Sequence, residues 1–185
     1  MNSLIWGTCN TNTPYAQCKA NMGWFASTLG TQCTDELTGK NSLVVNTLTA
    51  LQAFEVMHDA ACLEDPTTDT YCYLNAVRAS KPSDLYYYNL PLGVKLPKTV
   101  APSCSSCTKS VMALYASTLK NSSKSTSLTG LKTTYDSAAA LSQSNCGADF
   151  AQRLTSAASR RVGPPRTLSA AGVAVITGVL LLYFS

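Results

Sequence analysis

Ser-Leu-Val-Val-Asn-Thr-Leu-Thr-Ala-Leu-Gln-Ala-Phe-Glu-Val-Met-His-Asp-Ala-Ala, residues 42–61, carries apolar side chains at helical intervals, and no glycine or proline interrupts it. Positions 44, 47, 48, 51 and 54 fit a 3.6-residue period, not the two-residue period of a strand. The stretch therefore predicts one long helix from Ser42 to Ala61, with Val44, Thr47, Leu48, Leu51 and Phe54 facing inward. The same period recurs on both sides. Upstream, Thr13-Pro14 gives a cap and a first-turn proline, and Tyr15, Cys18, Met22 and Phe25 follow on one expected core face.

Downstream, a third helix is expected from Asp69 to Ala79, stopped by Pro82. Residues 81–103 are proline-rich and lack sustained periodicity, so they read as an ordered loop with one helical turn at Ser83–Tyr88. Two more helices are expected. Ser105–Lys120 places Val111, Leu114, Tyr115 and Thr118 on one face, and Ser127–Gln143 places Leu128, Leu131, Tyr135 and Ala138 likewise. The polar run Asn121 to Thr126 between them reads as a mobile loop. The fold class is all-α: an irregular, disulfide-stapled bundle of about five helices over residues 1–150, then a polar spacer (151–167) and a hydrophobic tail helix (168–185).

Eight cysteines are spread through the domain: Cys9, Cys18, Cys33, Cys62, Cys72, Cys104, Cys107 and Cys146. An even number in a short chain suits four disulfides in an oxidising compartment, with the connectivity open. Zinc sites want two close pairs of ligands, and here only Cys104 and Cys107 are close, with a single histidine, His58. No metal and no cofactor is expected.

Only 13% of residues are charged, and the formal net charge is +4. Arg160, Arg161 and Arg166, just before the tail, supply three of those four positive charges. No basic stripe runs along any expected helix, which excludes nucleic acid as a partner.

The tail, Leu168 to Ser185, holds eighteen uncharged residues, marginal for a bilayer span of about 20. Before it stand the small triplet Ser156-Ala157-Ala158 and a polar spacer. Triplet, spacer and tail are the parts of a glycolipid-anchor signal, with Ser156 the attachment candidate. The expected place is the outer face of the plasma membrane or the cell wall. The rival is a tail-anchored protein retained by its C-terminal helix, which the three arginines would suit. Met1-Asn2-Ser3-Leu4-Ile5-Trp6 lacks the basic start and apolar core of a signal peptide, so the start is expected to be truncated from a longer precursor. Asn121-Ser122-Ser123 is a glycosylation acceptor.

Few constellations suggest chemistry. Cys104-Ser105-Ser106-Cys107 has redox spacing but follows a proline-rich loop rather than a buried strand, so it reads as two structural half-cystines. Glu55, His58, Asp59 and Cys62 share a helix face, as an acid, a base and a ligand would; their plainer reading is solvated carboxylates beside a structural histidine. Tyr86, Tyr87 and Tyr88 cannot all face inward on one turn, so at least one is expected at the surface as a speculative ligand contact, suited to stacking on sugar rings.

Thr13-Pro14-Tyr15-Ala16-Gln17-Cys18, Gly23-Trp24-Phe25, Tyr71-Cys72-Tyr73, Pro82-Ser83-Asp84-Leu85-Tyr86, Leu90-Pro91-Leu92-Gly93 and Cys104-Ser105-Ser106-Cys107-Thr108 resemble a family of fungal secreted proteins with an uncharacterised cysteine-rich domain. The resemblance covers roughly Cys9 to Gly147. It implies a surface protein, often with a glycolipid-anchor signal, and carries over no activity. The expectation is a non-enzymatic surface domain, structural or binding wall polysaccharide or a surface protein. The alternatives are a module for a small apolar ligand, lipid or glycan, and an enzyme using Glu55, His58 or Asp59.

Overall fold

A computed structural model describes residues 2–80 and 82–154. Ser156, the spacer and the tail lie outside the described residues. Among those described, no helix is long and apolar enough to cross a membrane.

The chain is all-α. In order it forms α1 (Asn2–Cys9), α2 (Tyr15–Gln32), α3 (Thr34–Thr38), α4 (Ser42–Ala61), α5 (Cys72–Arg78), a 3-10 segment (Pro82–Leu92), α6 (Ser106–Lys120), α7 (Ser122–Ser125) and α8 (Thr129–Cys146). The only sheet-like pairing among the described residues is one antiparallel bridge between Glu64 and Tyr71. Asn41 caps α4, its side-chain oxygen accepting from the Leu43 and Val44 amides, so the long helix begins where the periodicity begins.

The core sits around the 3-10 segment, which packs against α4, α5, α6 and α8. Tyr87, Leu90, Val111, Met112, Tyr115, Leu131 and Tyr135 are closed off from water there. The three fully enclosed tyrosines of this core, Tyr87, Tyr115 and Tyr135, need hydroxyl partners, because an unpaired buried hydroxyl costs about 1–3 kcal/mol. Each has one. Tyr87 Oη pairs with Ser142 Oγ at 2.8 Å, Tyr115 Oη donates to the Tyr87 carbonyl at 3.2 Å, and Tyr135 Oη donates to the Gln152 carbonyl at 2.5 Å. Burial raises the Tyr135 phenol to about 12, so these groups stay protonated donors at ordinary pH.

Two expectations about faces are corrected. Helix α2 contributes no buried residue, because it packs mainly on α4, with a smaller contact to α3. Tyr15, Cys18, Met22 and Phe25 therefore do not form core. On α4 the buried residues are Ala53, Val56 and Ala60, while Val44, Leu48, Leu51 and Phe54 are half-buried and Thr47 is exposed. Helix α4 packs on both the 3-10 segment and α2, and Phe54 lies against Tyr15 of α2. The stretch 121–126 also differs from a mobile loop: Asn121 caps the single turn α7, and Ser125 is buried.

Three disulfides close the domain rather than four: Cys9–Cys62, Cys72–Cys107 and Cys104–Cys146. Cys18 and Cys33 are unbonded. Both belong to one unbroken helix and its cap, which holds their Cα atoms roughly 22 Å apart, far beyond the reach of a bond.

Candidate functional site

Glu55, His58 and Asp59 do come together, at a joint where α1, α2, α4 and α7 meet. The His58 ring stacks on Tyr15 with centroids 4.5 Å apart. Its Nδ1 lies 3.7 Å from Asp59 Oδ1 and its Nε2 lies 3.4 Å from the Thr8 carbonyl. Glu55 takes Lys19 at 2.8 Å and Lys124 at 2.7 Å. Partial burial would raise the Glu55 carboxyl, but hydrogen bonds and charge from Lys124 and Lys19 outweigh it and hold the group below its usual value. A general base works best with a proton affinity near the working pH, and two ammonium groups move Glu55 away from it. Burial and the nearby Asp59 carboxylate raise the Tyr15 phenol. Cys62 is bonded to Cys9. The arrangement is chemically a brace, with the first helix stapled to the end of α4.

A cavity of about 120 Å³ with a mixed lining lies between α5, the 3-10 segment and the start of α6. Asp65 and Asp84 line it with Asn75, Tyr88, Ser103 and Thr108. Asp65 accepts from the Thr67 amide and hydroxyl, from Asn75 Nδ2 and from Ser106 Oγ. Asp84 accepts from the Ser103 amide at 3.0 Å and, at shorter range, from the Ser103 hydroxyl. Ser105 caps α6 by accepting from the Thr108 amide. Below these carboxylates, Cys107 is bonded to Cys72 and Cys104 to Cys146. The close cysteine pair thus ties α6 to two separate neighbours, as half-cystines do, and not into a redox couple.

The sequence reading passed over Asp65 and Asp84. Asp65-Pro66-Thr67 is a turn signal, since a carboxylate can accept from the amide two residues on; nothing local in Asp84 signals its distant partner Ser103. The Thr67 amide and then its hydroxyl hold the Asp65 carboxyl below its ordinary value. A lowered folded-state value gives stability that is present above the unfolded value, about 4, and lost as the pH falls through the folded one. The Asp65→Asn variant is therefore expected to be less stable than the parent at neutral pH, with the gap narrowing below about pH 4. Urea unfolding at pH 6 and pH 3 checks this, and a gap of equal size at both would refute it.

Of the three consecutive tyrosines, Tyr87 and Tyr88 are buried and Tyr86 is the exposed member. Tyr88 meets Tyr73 edge-on at 5.0 Å. A stacking platform for sugar is therefore reduced to Tyr86. A second depression, about 210 Å³ and open to solvent, is lined by Leu119, Lys132, Tyr135, Asp136 and Leu154. Its mixed lining does not match the enclosed apolar cavity that a lipid-binding module requires. Asn121 is exposed, and its Oδ1 caps α7; a sugar on its Nδ2 would leave that cap in place.

The most exposed large apolar side chains lie on the N-terminal helices: Leu4 and Trp6 on α1, Trp24 and Phe25 on α2, and Leu43 on α4. Trp24 is 62% and Leu43 75% accessible. Single exposed apolar residues are ordinary; here five large ones fall on the N-terminal helices.

No curated protein and no solved structure matches the chain. A family profile described as a domain of unknown function, DUF7729, matches residues 1–156, and the chain belongs to that family.

Proposed function

We propose that the chain is a non-enzymatic fungal surface domain, exported, held at the membrane by a glycolipid added at Ser156, and acting by binding another macromolecule. The observation that carries the binding role is the apolar set Leu4, Trp6, Trp24, Phe25 and Leu43 on the N-terminal helices. Tryptophan is among the side chains that most often carry binding energy when a partner covers them. Three disulfides in one small domain support an oxidising compartment. The triplet, spacer and tail of residues 156–185 support the anchor.

The anchor is tested on intact cells that produce the protein. A phosphatidylinositol-specific phospholipase, applied after removal of any acyl block on inositol, is expected to release the domain into the medium without its tail peptide. Retention on the cells, with the 168–185 peptide still attached by mass spectrometry, would instead establish the tail-anchored form.

A further inference from the structure

The cavity between α5, the 3-10 segment and the start of α6 is lined by two carboxylates, Asp65 and Asp84. Asp65 is 9% and Asp84 8% accessible, and neither makes an ion pair among the described residues. A buried charge is ordinarily paired or hydrogen-bonded to the full, and the two acids differ in this. Asp65 Oδ1 accepts from the Thr67 amide, the Thr67 hydroxyl and Ser106 Oγ, and its Oδ2 accepts from Asn75 Nδ2. Asp84 Oδ2 accepts from the Ser103 and Ser105 hydroxyls, whereas its Oδ1 accepts from the Ser103 amide alone. A carboxylate oxygen has room for about two such bonds, so Asp84 Oδ1 keeps acceptor capacity.

Tyr88 lines the same cavity. It is 8% accessible, yet its hydroxyl bonds to no described residue. Tyr71, Tyr87, Tyr115 and Tyr135, the other buried tyrosines, each have a hydroxyl partner. No fully enclosed side-chain oxygen or nitrogen among the described residues lacks one, so the Tyr88 oxygen is the part of this residue that opens on the cavity. Burial, and then the charge of Asp84, raises its phenol, which keeps the group neutral beside the carboxylate. Asn75 gives its Nδ2 to Asp65, and its Oδ1 accepts from no described residue. Three residues with spare acceptor oxygens, Asn75, Asp84 and Tyr88, therefore line one cavity.

A primary ammonium carries three donors and no acceptor, and the two carboxylates supply its counter-charge. An anion meets repulsion there. Calcium takes about 6–8 oxygens, and no group of three His, Cys, Asp or Glu able to hold a metal occurs among the described residues. The volume of about 120 Å³, against ~300–1,000 Å³ for a drug-sized ligand, admits only a short stem. We propose that this cavity binds a short primary alkylammonium, with its N–H groups on Asp84, Tyr88 and Asn75 and with Asp65 adding negative charge. Ala76 and Ala79 supply apolar lining for the stem. The site is separate from the apolar set on the N-terminal helices, and its test depends on neither export nor anchoring.

The full chain, purified from producing cells in detergent with its disulfides intact, is titrated with ethylammonium chloride against sodium chloride at equal ionic strength. Saturation-transfer NMR on the amine is the readout. Saturable binding in the millimolar range is expected, about the limit for a ligand of three heavy atoms. Tyr88→Phe removes a hydroxyl that no described residue uses, so without amine its thermal midpoint should equal the parent's, while amine binding weakens roughly three- to tenfold. Asp84→Asn is expected to abolish binding; because it also disturbs the Ser103 contacts, Tyr88→Phe carries the test if that variant does not fold. Tetramethylammonium, which has the charge without N–H donors, is expected not to displace ethylammonium. The proposal is overturned by a signal no different from the sodium chloride control, by equal affinity in parent and Tyr88→Phe, or by equal binding of tetramethylammonium. Displacement of the amine by millimolar calcium chloride, lost in Asp84→Asn, would assign the cavity to a metal ion and refute the ammonium site.

Discussion

Replacing Cys72 and Cys107 together by alanine is expected to lower the thermal unfolding midpoint by about 10 °C, the largest effect among the disulfides. The bond closes 35 residues, and a loop of that length restricts the unfolded chain by about 4 kcal/mol; in a domain of this size each kilocalorie moves the midpoint by roughly 2–4 °C. Loop length alone does not rank the three bonds, because the others close 53 and 42 residues and the dependence is logarithmic. Location decides. Cys72 is fully buried and Cys107 nearly so, and they join α5 to α6 across the core, so no part of the domain can open locally to relieve their loss.

Cys9–Cys62, by contrast, fastens α1, which also meets α4 through the Thr8 contact with His58 and is followed by a long hydrogen bond from Asn10 to Tyr71 Oη at 3.4 Å. Without that bond the first helix frays while the core stays closed, a local opening that costs little in global stability. The two double variants, Cys72→Ala with Cys107→Ala and Cys9→Ala with Cys62→Ala, are compared by calorimetry. A Cys9/Cys62 variant that loses as much as the Cys72/Cys107 variant would show that the first helix belongs to the cooperative unit.

The long helix was legible in the sequence to its ends, Ser42 and Ala61, because its cap Asn41 and its apolar spacing agree. On α8 the expected face, Leu128, Leu131, Tyr135 and Ala138, is the buried one. Helix α2 was legible as a helix but not in its surroundings. A stripe at Tyr15, Cys18, Met22 and Phe25 shows that a helix has an apolar side, and periodicity says nothing of whether this chain supplies the cover. The 3-10 segment was read as one turn within a loop, since Pro91 and the run of tyrosines hide its period; its 11 residues are held by packing on four helices and not by local preference. Asp65 and Asp84 escaped for a related reason. Asp84 meets Ser103 across 19 residues, a pairing that no local motif encodes. The three disulfides were legible as a class, while the exclusion of Cys18 and Cys33 required knowing that both sit on one rigid helix.

Gly130→Ala is expected to destabilise the domain by about 3 kcal/mol and to lower the midpoint by roughly 5–10 °C. A methyl group at this position would press on the Pro91 carbonyl oxygen and lie 2.7 Å from the Gly93 nitrogen and 3.0 Å from the Leu92 carbonyl carbon. All three are backbone atoms, so no side chain can swing aside. Nor can the backbone retreat easily. Pro91 fixes its own torsion, Gly93 turns through a positive φ of 84°, and Thr134, one turn further along α8, donates its hydroxyl to the Leu90 carbonyl at 2.8 Å. Alanine's better helix propensity, about 1 kcal/mol, works in the opposite direction and is smaller than the clash. Gly23 supplies the contrast, because a methyl group there has nothing within 4 Å. Gly23→Ala should leave the domain unchanged or stabilise it by up to about 1 kcal/mol through the same propensity. Urea unfolding of both variants separates the two contributions, with near-ultraviolet circular dichroism reporting on Tyr87 and Tyr135 beside the contact. Equal midpoints for the two variants would mean that α8 does not press on the end of the 3-10 segment, and the core would then have to be closed by the tyrosine hydroxyls and disulfides alone.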